Sequence, residues 1–165
     1  MRSRKYFYTL DLNGRLFLEE TRHRNMTSCL KDEKFLDFFF KRLKPNFDSS
    51  TASKYPFVSP CGNELNFLAP EDTPIVFNKL MLNKSIPSAL QYAGRLAIEF
   101  DPRGLAFGRD SGRLYARLPK SMVSLGEYGL LSSSLVNELS SNLHFLGEKT
   151  HLRFGDSFFE VGEID

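Results

Sequence analysis

Apolar and polar residues alternate strictly at the start of the chain. Tyr6, Tyr8, Leu10 and Leu12 fall at every second position, the period of a strand with one buried face. Asn13-Gly14 interrupts the run, and Arg15-Leu16-Phe17-Leu18 resumes it. The pattern predicts a β-hairpin over Lys5–Glu20 closed by a type I′ Asn-Gly turn, which needs φ > 0 at both central residues. A cognate returns at Leu105–Leu118, where Gly112-Arg113-Leu114-Tyr115 echoes Gly14-Arg15-Leu16-Phe17.

The period changes after the first hairpin. Phe35/Leu36, Phe39/Phe40 and Leu43 repeat at helical spacing behind Asp32, a good N-cap, and Pro45 stops the run. Phe38 widens that stripe, so the helix is expected to be buried on more than one side. Tyr55–Cys61 and Glu64–Ala69 flank Gly62-Asn63 and predict a second hairpin, with Pro56 and Pro60 placing its first strand at an edge. Pro74–Leu82 reads as an apolar strand, followed by a loop around Pro87 and by strands over Ala89–Gly94 and Arg95–Phe100. A turn at Asp101–Gly104 leads into the second copy of the opening hairpin. Leu131, Leu135, Leu139 and Leu143, at i+4 with Val136 alongside, predict a second helix within Glu127–Leu143. His151–Phe154 and Ser157–Val161 close the chain as a hairpin around Gly155-Asp156. The expected fold is α+β: mostly antiparallel β in two similar hairpin–helix–hairpin halves, 1–72 and 73–165, with one helix per half, packed as one compact unit.

Composition supports a packed core, because the 165-residue chain is 41% hydrophobic and holds 16 Phe. The net charge of +2 hides an uneven distribution: residues 1–54 carry 12 Lys/Arg against 7 Asp/Glu. That basic third includes Arg2, Arg4 and Lys5 beside Tyr6-Phe7-Tyr8. Aromatics among basics raise nucleic-acid contact through residues 2–24 as one expectation, although the alternation assigns Tyr6 and Tyr8 to a core-facing strand. Cys29 and Cys61 are too few for a disulfide framework and have no CxxC spacing, which suggests reduced thiols in a reducing compartment. No apolar run reaches the roughly 18–20 residues of a membrane span, and the first residues lead directly into a strand rather than a signal or transit peptide.

Three stretches together resemble an uncharacterised protein family: Tyr6-Phe7-Tyr8 with Asp11, Gly14 and Leu16-Phe17-Leu18; Phe39-Phe40 with Arg42-Leu43 and Pro45-Asn46; and Cys61-Gly62, Glu64, Asn66-Phe67-Leu68, Asp72, Pro74 and Val76-Phe77. The family occurs in animals and other eukaryotes, where members are associated with mitochondria, and in some bacteria. Its human member is known only as a chromosome-eight open-reading-frame protein. The resemblance implies a cytoplasmic protein in a bacterial source, a mitochondrial one in a eukaryotic source, and no particular activity. Tyr128-Gly129-Leu130, Val136-Asn137-Glu138-Leu139, Phe154-Gly155 and Phe159-Glu160-Val161-Gly162 resemble the C-terminal half of a second bacterial domain family, of repeated β-plus-helix units and unknown function.

The chemistry on offer is sparse. His23, His144 and His151 are scattered, so no zinc site and no cofactor are expected; His144 is placed at a helix C-terminus, where a cation suits the dipole. Nucleotide-phosphate loops are absent. Arg15 and Arg113 each follow a turn Gly, and a pseudo-twofold would let them hold an anionic ligand bidentately; charged edge strands that block aggregation are the plainer reading. Cys61 precedes a turn with Glu64 and Asn66 on one face of the next strand, a corner for a ligand or for thiol chemistry; the plainer reading is a small buried hydrophobe. Arg22, Arg24, Lys41 and Arg42 form a candidate partner surface. The leading functional expectation is a non-enzymatic binding or adaptor module with a protein partner. The alternatives are the Cys61–Glu64–Asn66 corner and the basic N-terminal third.

Overall fold

A computed structural model of the chain describes residues 3–165. The opening alternation builds β1 (Arg4–Leu10), and its antiparallel partner β2 (Leu16–Leu18) pairs Leu10 with Leu16. The turn between them is not type I′. Only Gly14 has positive φ, +77°, and its N–H donates to the Asp11 carbonyl (3.1 Å). Asp11 Oδ1 also accepts from the N–H groups of Asn13 (2.9 Å) and Arg15 (2.8 Å). An Asp at the turn's first position therefore selects a wider turn with a Gly bulge. The type I′ geometry occurs elsewhere, at Lys84 and Ser85, with φ of 51° and 66°.

Asp32 caps α1 (Glu33–Lys41), its side chain accepting from the Phe35 N–H. Phe39 and Phe40 are buried, but Phe38 is 44% exposed, with the Arg42 guanidinium 3.9 Å above its ring. The helix is thus buried on one side only, and Arg42 covers the extra aromatic. A two-residue strand, β3 (Lys44–Pro45), pairs with β4 (Phe57–Cys61), so β4 is one strand in from the edge. β4 and β5 (Glu64–Pro70) form the Gly62 hairpin, and β5 runs parallel to β1. The first sheet is ordered β2-β1-β5-β4-β3.

β6 (Val76–Asn83) and β7 (Ile86–Tyr92) form a hairpin, and β8 (Leu96–Glu99) folds back on β7. Pro87 lies inside β7, opposite Leu82, rather than in a loop. A 3-10 turn at Pro102–Gly104, capped by Asp101, precedes the hairpin of β9 (Leu105–Gly108) and β10 (Leu114–Arg117). The predicted second helix begins late. Tyr128–Leu131 is β11, and α2 spans only Ser133–Leu139, capped by the Ser132 side chain. Leu131 and Leu143 both belong to strands, because β11 pairs with β6 and β10 before the Ser cap starts the helix. With β15 (Gly162–Ile164) at one edge, the second sheet is ordered β15-β9-β10-β11-β6-β7-β8. The β15 strand runs parallel to β9. β12 (Leu143–Leu146), β13 (Lys149–Phe154) and β14 (Ser157–Glu160) make a third sheet. The chain is a strand-rich α+β protein. One core cluster runs from Tyr8, Leu10 and Phe39 through Leu68 and Phe77 to Leu130, Leu135 and Leu152. Among the described residues, no helix is long and apolar enough to cross a membrane.

Candidate functional site

A groove of about 800 Å³ lies on the second sheet. Its floor is apolar, built from Leu90, Ile98, Phe100, Leu118 and Met122. The far wall is the 3-10 segment Lys120–Leu125 and the residues before it. The Tyr92 hydroxyl reaches across to Met122 Sδ at 4.0 Å, and burial first, then Asp37, raises the Tyr92 pKa. The near wall is β8. The Phe100 N–H donates to the Ser88 carbonyl (3.0 Å), which fixes the hydrogen-bonding parity of the antiparallel pair. Leu96, Ile98 and Phe100 therefore address β7, and the backbone groups of Ala97 and Glu99 turn outward. β8 ends its sheet, and both Ala97 and Glu99 line the groove. At the rim, Arg103 is held by Asp101 (3.0 Å) and Arg117 by Glu127 (3.0 Å) and the Tyr128 hydroxyl (2.7 Å). The Arg103 hydrogen bonds lower the Asp101 pKa. Glu99 has no ion-pair partner among the described residues.

A second cleft, of about 240 Å³, lies where the tips of the β1–β2 and β9–β10 hairpins approach α2. Leu12 comes from the first tip and Gly112-Arg113 from the second. Arg113 Nη1 donates to Asp72 Oδ2 (2.9 Å), which also accepts from the Tyr115 hydroxyl (2.6 Å). Ser111 Oγ contacts that hydroxyl (3.1 Å) and accepts from the Arg113 N–H (3.1 Å). Asp72's hydrogen bond raises the Arg113 pKa, and burial, then Asp72, raises that of Tyr115. Arg15 does not join this cleft: its Nε pairs with Asp11 Oδ2 at 2.8 Å. The two hairpin tips meet, and their arginines do not.

The Cys61 corner is assembled as the two-residue period implies. Cys61 faces Glu64 and Ser59 faces Asn66 across the β4–β5 ladder, while Tyr6 pairs with Asn66 from the β1 side. Cys61 is part-buried, with Ser59 Oγ 3.8 Å from its sulfur. Asn66 is 1% exposed; its Nδ2 donates to the Ser59 carbonyl (3.2 Å), and its Oδ1 has no hydrogen-bond partner among the described residues. The Tyr8 pKa is pushed up to about 12, by burial first and then by Glu64, Tyr6 and Cys61 nearby.

With this geometry in place, the comparisons with known proteins decide the family. The pattern of DUF4505, a domain of unknown function, matches residues 1–163. The chain belongs to the DUF4505 family. Two DUF1285 family proteins of known crystal structure are similar to it. One, from Silicibacter pomeroyi DSS-3, has 13% identity and a TM-score of 0.54, over 98% of this chain and 84% of its own. The other, from Shewanella baltica OS155, has 17% identity and a TM-score of 0.47, over 81% of this chain and 90% of its own. The first likeness shows a shared fold. Neither assigns an activity to the DUF4505 chain.

The remaining expected site residues of this DUF4505 protein are dispersed. Arg22 and Arg24 lie in the loop between β2 and α1, where Arg24 donates to the carbonyls of Thr21 (3.2 Å) and Glu19 (3.0 Å). Lys41 and Arg42 end α1. Arg2 lies outside the described residues. His144 sits on β12, not at a helix end, and faces His151 across the ladder, with Phe158 edge-on to both rings. Among the described residues, no group of three or more His, Cys, Asp or Glu side chains is arranged to hold a metal. Sequence reasoning missed the β8 edge and the Asp72–Tyr115 anchor of Arg113. Asp72 belongs to the third stretch of the family resemblance, but nothing local ties it to Arg113, 41 positions on, and an edge is set by which strands pair.

Proposed function

We propose that this DUF4505 protein is a non-enzymatic binding module that takes an extended segment of a partner protein, added as a strand to β8. The observation that carries the reading is the free edge of β8 opening onto the large groove. Ala97 and Glu99 direct two N–H and two C=O groups there, enough to pair a short strand by main-chain hydrogen bonds. Alternate side chains of the guest would enter the floor beside Leu90, Ile98 and Met122. Arg103 and Arg117 are satisfied within the protein, whereas Glu99 is not, so the segment should combine alternating apolar residues with a Lys or Arg opposite Glu99.

Ala97→Pro tests this. The Ala97 N–H points away from β7, so proline removes an outward donor and leaves the β7–β8 ladder intact. Twelve-residue peptides selected on the wild-type protein from a random library should bind the variant at least about tenfold more weakly, with an unchanged melting temperature. Equal binding by both proteins would remove β8 from the account.

Two finer readings accompany this one. The halves 1–72 and 73–165 are proposed as structural repeats: β1 is flanked by β2 antiparallel and β5 parallel, and β9 by β10 antiparallel and β15 parallel. A ligand or thiol function at Cys61, Glu64 and Asn66 is a second reading, favoured by the unpartnered Asn66 Oδ1. Alkylation kinetics on Cys29→Ser protein test it: Cys61 reacting no faster than a cysteine in an unstructured peptide would set this reading aside.

A further inference from the structure

Arg113 is an unusual group to find at the mouth of an apolar cleft. Leu12, Phe107, Leu114, Leu130, Leu131 and Val136 make most of the 240 Å³ lining, and Leu114, Leu130 and Leu131 are almost fully buried in its wall. A cavity of about 150 Å³ holds benzene, so this one has room for roughly ten non-hydrogen atoms. The guanidinium is held in place rather than free to swing. Asp72 anchors Nη1, Tyr115 and Ser111 close a hydrogen-bonded ring behind it, and Gly112, with φ +69°, lets the chain turn into position. Arg113 has five side-chain N–H donors; among the described residues its guanidinium is engaged by Asp72, through Nη1, and by the neighbouring Tyr115 hydroxyl, which leaves donors to spare.

The charge state decides the ligand class. Asp72 balances Arg113, so a carboxylate entering the cleft would share one cation with a carboxylate already 2.9 Å from it. A neutral acceptor takes the spare N–H groups without that repulsion. We propose that the cleft between the hairpin tips and α2 binds a small, neutral aliphatic acyl compound, an amide or ester of five to seven carbons, with Arg113 donating to its carbonyl oxygen and the alkyl chain lying against Leu130, Leu131 and Val136. This site is separate from the β8 groove and does not depend on the peptide reading.

The probes are 4-methylpentanamide and 4-methylpentanoate, equal in size and differing in charge, titrated into the full chain and followed by backbone amide NMR. The amide should shift Leu12, Gly112, Arg113, Leu130 and Val136, and the carboxylate should bind at least about tenfold more weakly. Asp72→Asn keeps an oxygen for Tyr115 and Arg113 while freeing the cationic charge, so the preference should move toward the carboxylate. Arg113→Met, at a side chain 41% exposed, should weaken the amide about tenfold and leave the fold intact, and it serves if Asp72→Asn does not fold. Equal binding of the two probes to the wild type, shifts centred on groove residues such as Ile98, or no saturable shifts at all would each overturn the proposal.

Discussion

Tyr8 shows how much one residue of the opening hairpin carries. Its side chain is largely buried, with its ring edge-on to Phe39 of α1 at 5.1 Å, and burial first, then Glu64, Tyr6 and Cys61, disfavours ionisation. The folded-state value of about 12 lies above the ordinary 10.0, so the folded protein holds this proton more tightly than the unfolded chain does. The contribution is whole below about pH 10 and is lost as pH climbs through 12. Urea midpoints measured from pH 8 to 12 should fall above pH 10, and Tyr8→Phe should flatten that fall by about 2 kcal/mol. A second test concerns Ser59, fully buried, whose hydroxyl donates to the Phe39 carbonyl at 2.6 Å. Ser59→Ala leaves that carbonyl without its donor and should cost about 1–2 kcal/mol in chemical denaturation. At this scale the sequence was legible where periodicity acts. The shared face of Cys61, Glu64 and Asn66 follows from counting by two. The partners of Arg15 and Arg113 do not: Asp11 is a turn residue four positions away, and Asp72 is brought in by the crossing from β5 to β6.

Among the elements, α1 is the best anticipated and the most consequential. It is latched to the β7–β8 turn by Asp37 Oδ1, which accepts from the N–H groups of Gly94 (2.9 Å) and Arg95 (2.7 Å). Arg95 adds an ion pair to Glu33 at 2.6 Å. A Cβ on Gly94 would lie 2.6 Å from the Glu33 carbonyl oxygen, a helix backbone atom unable to give way. Gly94→Ala should therefore destabilise by about 1–3 kcal/mol and show it in the thermal midpoint. The weaker expectations fail for identifiable reasons. The leucine repeat of 131–143 matches a helix by spacing, but Leu131 is claimed by β11 pairing and Ser132 can start a helix only after itself. Phe38 fits the helical stripe by composition, yet at 100° per residue it falls outside the arc of Phe35, Leu36, Phe39 and Phe40, and only Phe39 and Phe40 are buried. Asn-Gly favours a two-residue loop, and Asp11 overrides it by accepting from the N–H groups two and four residues on, those of Asn13 and Arg15.

At the scale of the molecule, one core links residues from both halves, with Leu10, Phe39 and Leu68 in the same cluster as Leu105, Leu135 and Leu152. Tyrosine fluorescence and far-ultraviolet circular dichroism should report coincident urea transitions; separated midpoints would show that the halves are independent. The groove is continuous with this shared core: its floor residues Leu90, Ile98 and Phe100 belong to that cluster. The central claim is that a partner segment pairs with the outward edge of β8. The most direct measurement is amide hydrogen exchange, residue by residue, with and without a peptide selected on the wild-type protein. Binding should slow exchange at Ala97 and Glu99 strongly, while Ile98 and Phe100, already bonded to β7, stay protected in both states. Saturating peptide that leaves Ala97 and Glu99 exchanging as in the free protein would contradict the account.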